Sequence, residues 1–254
     1  MTPVEAAILG ILQGVTEFLP ISSSGHLVVA EELMRVQSPG ILFEVVVHLG
    51  TLISILIVFK EEIGKLLRNW STGESKAMFG YLIIGTIPVV ISGSIFKSQL
   101  ESAFEDLRLV SFAFLLTGFV LILTAFVSSR TAQLDKGKST VIGLSQAFAL
   151  IPGISRSGMT ISTGLFLGIN PEESARFSFL LAVPSLFGSG VIMTRDFLTF
   201  GAGKESPLVL AVGFVTSVLI GVVALRFLLH ILVRGRFHWF GIYCLIAGIS
   251  SMWI

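Results

Sequence analysis

The sequence predicts an all-α integral membrane protein with six transmembrane helices and two re-entrant helical hairpins, arranged as an inverted-topology repeat. Composition is the first observation behind this: 53% of the 254 residues are hydrophobic and only 13% are charged, with mean hydropathy +0.91. A soluble domain carries about 25% charged residues, and the deficit here runs the whole length of the chain. The second is a set of apolar runs near the ~20 residues that a spanning helix requires. The third is an internal repeat, in which each half opens with a polar, interrupted segment.

The first apolar stretch, 4–21, is too polar for a leader. It lacks a basic leading region, carries Glu17 and runs into Ser-Ser-Ser-Gly-His instead of a small-residue cleavage site, so it is kept in the mature chain. Together with residues up to 36 it reads as the first hairpin. Three spans follow near 41–59, 77–96 and 109–127, closing a first repeat at 132. A second broken segment, 139–169, is followed by spans near 173–194, 208–230 and 238–254. No soluble domain fits between these elements, so residues 1–254 form a single membrane domain of two halves, 1–132 and 133–254.

A shift of 133 positions carries Gly10 onto Gly143, Gln13 onto Gln146, Ser22 onto Ser155, Ser24 onto Ser157 and Gly25 onto Gly158. Both polar segments break near the middle at Pro, Gly and Ser, where a backbone donor is lost and the helix is loosened. Each piece has the length of a re-entrant segment, not of a crossing. A hairpin adds no net crossing and three spans add an odd number, so the second half is inverted. Inverted repeats with broken helices place polar sites near the midplane, and irregular backbone at that depth must be buried in protein or line a watery cavity.

Lys and Arg set the orientation. One face collects Lys60, Lys65, Arg68, Lys76, Arg130, Lys136, Lys138, Arg176, Arg234 and Arg236, and the other Arg35, Lys97, Arg108, Arg195 and Lys204. The richer face is expected in the cytoplasm of an inner (plasma) membrane protein. Both termini and the mouth of the first hairpin then lie outside the cytoplasm.

Net charge is +1, which implies no bulk attraction to nucleic acid, and a single cysteine, Cys244, excludes an intrachain disulfide. The fragment GAGKES at 201–206 lacks two features of a phosphate-binding nucleotide loop. Leu198 stands where that loop needs its first glycine, and Glu205 where it needs Ser or Thr.

The chemistry concentrates at the two breaks. Gln13 and Glu17 share a helical face, and Ser22, Ser23, Ser24 and His26 follow at the turn. The opposing segment offers Ser155, Arg156, Ser157 and Thr160. An arginine at membrane depth is costly and points to function. Guanidinium, hydroxyls and helix starts all suit a phosphate. A carboxylate beside such a site implies a bridging Mg²⁺ or Ca²⁺, with Glu17 as a ligand. His26 can serve as general acid or base, and one serine can serve as nucleophile with that histidine as its activator. Several residues also have structural readings. The serines Ser22, Ser24, Ser155 and Ser157 can cap the broken helix ends, and Arg156 can pair with Glu17 to brace the hairpins. Glu44 with His48, i and i+4 within a span, reads as a structural pair or one that supports the site from behind, with Glu44 itself reaching the site left open.

Two long stretches make the pattern specific: Gln13-Gly14-Val15-Thr16-Glu17, continuing through Phe18-Leu19-Pro20-Ile21-Ser22-Ser23-Ser24-Gly25-His26, and Pro152-Gly153-Ile154-Ser155-Arg156-Ser157-Gly158-Met159-Thr160. With FEVVVHLGT and GTIPVV, they resemble the bacitracin-resistance family of undecaprenyl pyrophosphate phosphatases over nearly the whole chain. The resemblance implies hydrolysis of a C55 polyprenyl diphosphate to the monophosphate and inorganic phosphate, aided by a divalent cation. That reaction recycles the carrier lipid for cell-wall glycan synthesis and confers bacitracin resistance. It also implies Glu17 as metal ligand or acid/base, Ser23 as nucleophile, His26 as its partner and Arg156 as the diphosphate clamp. Ser155 and Thr160 would make secondary phosphate contacts. Gln13 departs from the glutamate that many members carry, and a neutral amide shifts weight onto Glu17. Spacing leaves open whether Ser23 attacks or His26 activates a water. The rival class is a transporter or flippase for a polyprenyl phosphate or other anion. The partners implied are the lipid substrate and the surrounding membrane; a homodimer is compatible with the residues but not demanded by them.

Overall fold

A computed structural model describes residues 1–34, 40–127, 131–200 and 206–254. The chain is all-helical, with no strand among the described residues. In order the helices are α1 (Pro3–Thr16), α2 (Ser23–Met34), α3 (Gly40–Val58), α4 (Lys60–Arg68), α5 (Gly73–Ile95) and α6 (Lys97–Phe104). They continue with α7 (Leu107–Leu123), α8 (Lys136–Phe148), α9 (Arg156–Phe166), α10 (Pro171–Phe200), α11 (Pro207–Val233) and α12 (Trp239–Ser251). Arg35, Arg130 and Lys204 of the charge count, the last residues of the first predicted hairpin and most of GAGKES lie outside the described residues.

Side-chain caps set the helix starts. Thr2 and Glu5 form a reciprocal capping box on α1, with Pro3 in the first turn where its missing N–H costs nothing. Asp106 accepts from the amides of Arg108 and Leu109 to open α7, and Ser206 caps α11 ahead of Pro207. Four stretches are long and apolar enough to cross a membrane: Gly73–Ile95, Leu107–Phe126, Pro171–Val191 and Pro207–Val233. A fifth is formed if α3 and α4, which meet at a 72° bend, count as one span. The last predicted span is a shorter apolar helix, the 13-residue α12, about 20 Å at 1.5 Å per residue. α4 and α6 continue beyond the apolar runs before them as short charged helices, which the sequence reading left unassigned.

Much of the apolar surface faces outward. Ile83, Ile87, Val90 and Ile91 on α5 and Leu219 and Val223 on α11 are exposed, as expected of surfaces solvated by acyl chains. The protein is a membrane protein on this evidence.

Packing brings the broken segments into contact across the two halves. α1 lies along α11 and α8 along α5, α7 pairs with α12, and α3 packs on both α10 and α11. Close backbone approach makes the first two contacts. A Cβ on Gly10 would stand 2.6 Å from the Gly213 carbonyl oxygen, and one on Gly143 would stand 2.4 Å from that of Gly85. Hydroxyls bridge the α8–α5 and α3–α11 seams: Ser139 donates to the Tyr81 carbonyl at 2.6 Å and Ser54 to that of Val218 at 2.9 Å. The turn after α1 is the centre of the largest core cluster, where Phe18, Leu19 and Ile21 pack with Phe179, Leu225, Leu228 and Cys244.

Candidate active site

The first turn, residues 17–22, and the second, 149–155, are built alike. Ser22 Oγ accepts from the Gly25 amide at 3.4 Å and lies 3.3 Å from Ser24 Oγ. At the equivalent positions Ser155 Oγ accepts from the Gly158 amide at 3.0 Å and lies 3.3 Å from Ser157 Oγ. Ser22 and Ser155 thereby satisfy helix starts, and Ser24 and Ser157 contact their hydroxyls. Ser157 also reaches across the halves to the Leu19 carbonyl, at 3.3 Å. Gly153 turns the second loop with φ +91, where a side chain would be strained and its Cβ would stand 2.5 Å from the Val110 carbonyl oxygen. Ser22 holds φ 68 without being glycine. Such strain persists only where surroundings over-determine it, here through the hydroxyl cap and a carbonyl that accepts twice from His26.

The two turns touch at their tips, and Glu17 is the point of convergence. Its Oε1 is ion-paired with Arg156 Nη2. Its Oε2 accepts from Ser23 Oγ at 2.6 Å and from Gln13 Nε2 at 3.0 Å. The carboxylate is buried and the arginine side chain is 16% exposed, so solvent screens the pair little. Two polar atoms here are buried without a partner among the described residues: Arg156 Nη1 and Gln13 Oε1. The guanidinium therefore retains a donor directed into protein and the amide an acceptor. An isolated buried polar atom costs about 1–3 kcal/mol, which a ligand would recover.

Of the residues singled out from sequence, Gln13, Glu17, Ser23 and Arg156 form one hydrogen-bonded cluster. Ser22, Ser24, Ser155 and Ser157 frame it from the backbone side. Thr160 points elsewhere, bonding the Arg156 carbonyl at 2.8 Å and Ser178 Oγ on α10 at 2.6 Å. His26 differs from the expected pairing with a serine hydroxyl: no hydrogen bond joins it to Ser23 or Glu17 among the described residues. Its Nδ1 sits 2.7 Å from the Ser22 carbonyl and its Nε2 2.7 Å from the Tyr243 hydroxyl. The hydroxyl of Ser23 bonds to a carboxylate instead.

Two neighbours were not assigned to the site from sequence. His48, read as half of a structural or site-supporting pair with Glu44, places Nε2 4.0 Å from Glu17 Oε2. Its Nδ1 is 2.8 Å from the Glu44 carbonyl, which fixes the ring. A histidine within an apolar run was the available signal. Tyr243 gave none, since tyrosine is ordinary in an apolar helix.

For a divalent cation the test is the donor set. No group of three His, Cys, Asp or Glu converges among the described residues, so the chain makes no closed cage. Glu17 and the unspent Gln13 Oε1 are hard oxygen donors, and Mg²⁺ is commonly held by one or two carboxylates with substrate phosphates completing the shell. The residues fit an ion that arrives with a diphosphate.

The chain is similar to known proteins over nearly its whole length. The family described as bacitracin resistance protein BacA matches residues 6–250. A protein named undecaprenyl-diphosphatase from Desulfosudis oleivorans is 37% identical, over 100% of this chain and 99% of its own. Proteins of the same name from Rhodopirellula baltica (37%, 97% of this chain and 95% of its own) and Carboxydothermus hydrogenoformans (36%, 99% and 97%) are similar throughout. The chain belongs to the bacitracin-resistance BacA family.

Proposed function

We infer that the protein is an undecaprenyl diphosphate phosphatase, releasing inorganic phosphate from a polyprenyl diphosphate and returning the monophosphate carrier to cell-wall synthesis. The observation that carries the mechanism is the chain Ser23–Glu17–Arg156 at the meeting of two broken helices. Arg156 holds Glu17 through one nitrogen while Nη1 is free for a phosphate oxygen. Ser23 Oγ, already donating to Glu17, attacks the terminal phosphorus as its proton passes to the carboxylate. The anhydride P–O bond breaks, and the lipid monophosphate leaves. Water then attacks the phosphoserine, freeing inorganic phosphate and restoring the hydroxyl, with Glu17 returning its proton. When bound by Glu17, Gln13 and the diphosphate, Mg²⁺ or Ca²⁺ would neutralise charge on the phosphate oxygens. His26 is the second proton carrier beside the site.

We read the architecture as six spans and two re-entrant hairpins, α1–α2 and α8–α9, in inverted halves. The matched serine caps and the matched α1–α11 and α8–α5 approaches support this, as does the bent α3–α4 pair counted with α12 as spans. The charge count supports termini outside the cytoplasm in the inner membrane. A pocket of about 530 Å³ between α5, α6, α7 and α8, lined by Phe96, Leu109, Phe148 and Ile151 among others, lies beside the second turn. Under the 133-residue shift Phe96, Phe148 and Ile151 correspond to Leu229, Val15 and Phe18, which fill the equivalent space with core. The open half can take isoprenoid units of the substrate.

The test is phosphate release from a polyprenyl diphosphate by purified protein in detergent, with and without Mg²⁺ or Ca²⁺. Release abolished by Glu17→Ala and by Arg156→Ala is expected. Lipid flipping in vesicles with no release would instead identify a carrier, the other use to which inverted repeats are put.

A further inference from the structure

We propose that Tyr243 is a positioning residue for the reaction, fixing the tautomer and direction of the His26 ring. The inference rests on the reading of His26 as a proton carrier. Nothing in the repeat or the motif stretches points to this tyrosine; it comes from α12, 217 positions from the histidine.

The argument starts from what each partner can do. A backbone carbonyl only accepts, so the 2.7 Å contact with the Ser22 oxygen places a proton on His26 Nδ1. In the neutral ring Nε2 is then the lone pair, and the Tyr243 hydroxyl at 2.7 Å is its donor. The two hydrogen bonds leave the ring from opposite sides, so neither tautomer exchange nor rotation is free. Packing holds the same plane: the tyrosine ring stacks on the imidazole at 5.6 Å with 10° between planes, and Phe114 meets it edge-on at 5.0 Å. The Ser22 carbonyl is itself held, because that residue is pinned in the left-handed region and its oxygen also accepts the His26 amide at 3.2 Å.

The consequence concerns which nitrogen works. Nε2 is the atom that takes or gives a proton, and the Tyr243 hydroxyl, as donor, keeps its lone pair unprotonated and aimed at one place in the absence of substrate. Tyr243 is about half exposed, so the hydroxyl can be displaced when a phosphate or water oxygen takes its place on Nε2. Phe at this position keeps the stacked ring and removes only the donor.

The experiment compares wild type, Tyr243→Phe, His26→Ala and the double variant for phosphate release in detergent, with ¹⁵N-histidine spectra of the single tyrosine variant. Tyr243→Phe is expected to lower kcat about tenfold with KM changed less than twofold, to have no further effect in the His26→Ala background, and to replace the single Nδ1–H tautomer with a mixture. Wild-type kcat and an unchanged histidine spectrum in Tyr243→Phe, with His26→Ala impaired, would overturn this proposal alone by leaving the tyrosine as packing. Full activity of His26→Ala would overturn the underlying role of His26, and this proposal with it.

Discussion

Replacing Glu17 with glutamine separates chemistry from architecture at this site. The amide has the shape of the carboxylate, and its one carbonyl oxygen will turn to Arg156, whose positive charge makes the larger demand. The NH₂ group then faces Ser23 and Gln13, which both donate to Glu17 in the wild type. Gln13 can adapt by flipping, because its own Oε1 has no partner to lose. Ser23 can only rotate and accept, so no group remains to take its proton. Stability should fall modestly, by about 1–2 kcal/mol, as charge-assisted hydrogen bonds become neutral ones. Phosphate release should fall far more, by about 10²–10⁴, the usual contribution of a positioned base. Saturating single-substrate kinetics in detergent, paired with thermal unfolding of the same preparations, measure both. A Glu17→Gln enzyme that keeps more than a tenth of wild-type kcat would refute the assignment of Glu17 as the base.

Three further outcomes follow from the same geometry. Arg156→Lys keeps the charge but not the fork that serves Glu17 and a phosphate at once, so kcat/KM should drop by about tenfold or more; unaltered kinetics would remove the clamp. Gln13→Ala deletes the oxygen offered to a cation, so the Mg²⁺ or Ca²⁺ concentration for half-maximal release should rise while release at saturating cation largely survives. An unchanged requirement would leave Gln13 outside the metal shell. Gly143→Ala forces a methyl group against the Gly85 backbone, and an apparent loss of about 1–3 kcal/mol is expected; an unshifted thermal midpoint would contradict the close α8–α5 contact.

How much of this was legible in sequence depends on where each contact closes. Gln13 and Glu17 are one helical turn apart and Ser23 follows in the same segment, so their association was open to reading along the chain. Arg156 lies 139 positions from Glu17, and the repeat alone suggested that the two meet. The capping serines were readable for the same reason, since Ser22 and Ser155 solve one local problem twice. His48 and Tyr243 reach the site through packing of α3 and α12, and helix packing leaves no periodic trace at a single polar position. A serine partner for His26 follows in sequence from the chemistry of an activated nucleophile and from the family resemblance. On α2, however, the ring is directed to the Ser22 carbonyl and to α12, while the Ser23 hydroxyl donates to the Glu17 carboxylate. The charged helices α4 and α6 escaped the reading because hydropathy marks where an apolar run stops, not where helical hydrogen bonding does.

Rapid-quench analysis of a single turnover, with label in the terminal phosphate of the polyprenyl diphosphate, addresses the Ser23–Glu17–Arg156 mechanism at its first chemical step. Transient label on Ser23, located by peptide mapping and missing from Ser23→Ala, is the result this mechanism requires. Release of labelled phosphate at the full single-turnover rate with no label passing through Ser23 would contradict it.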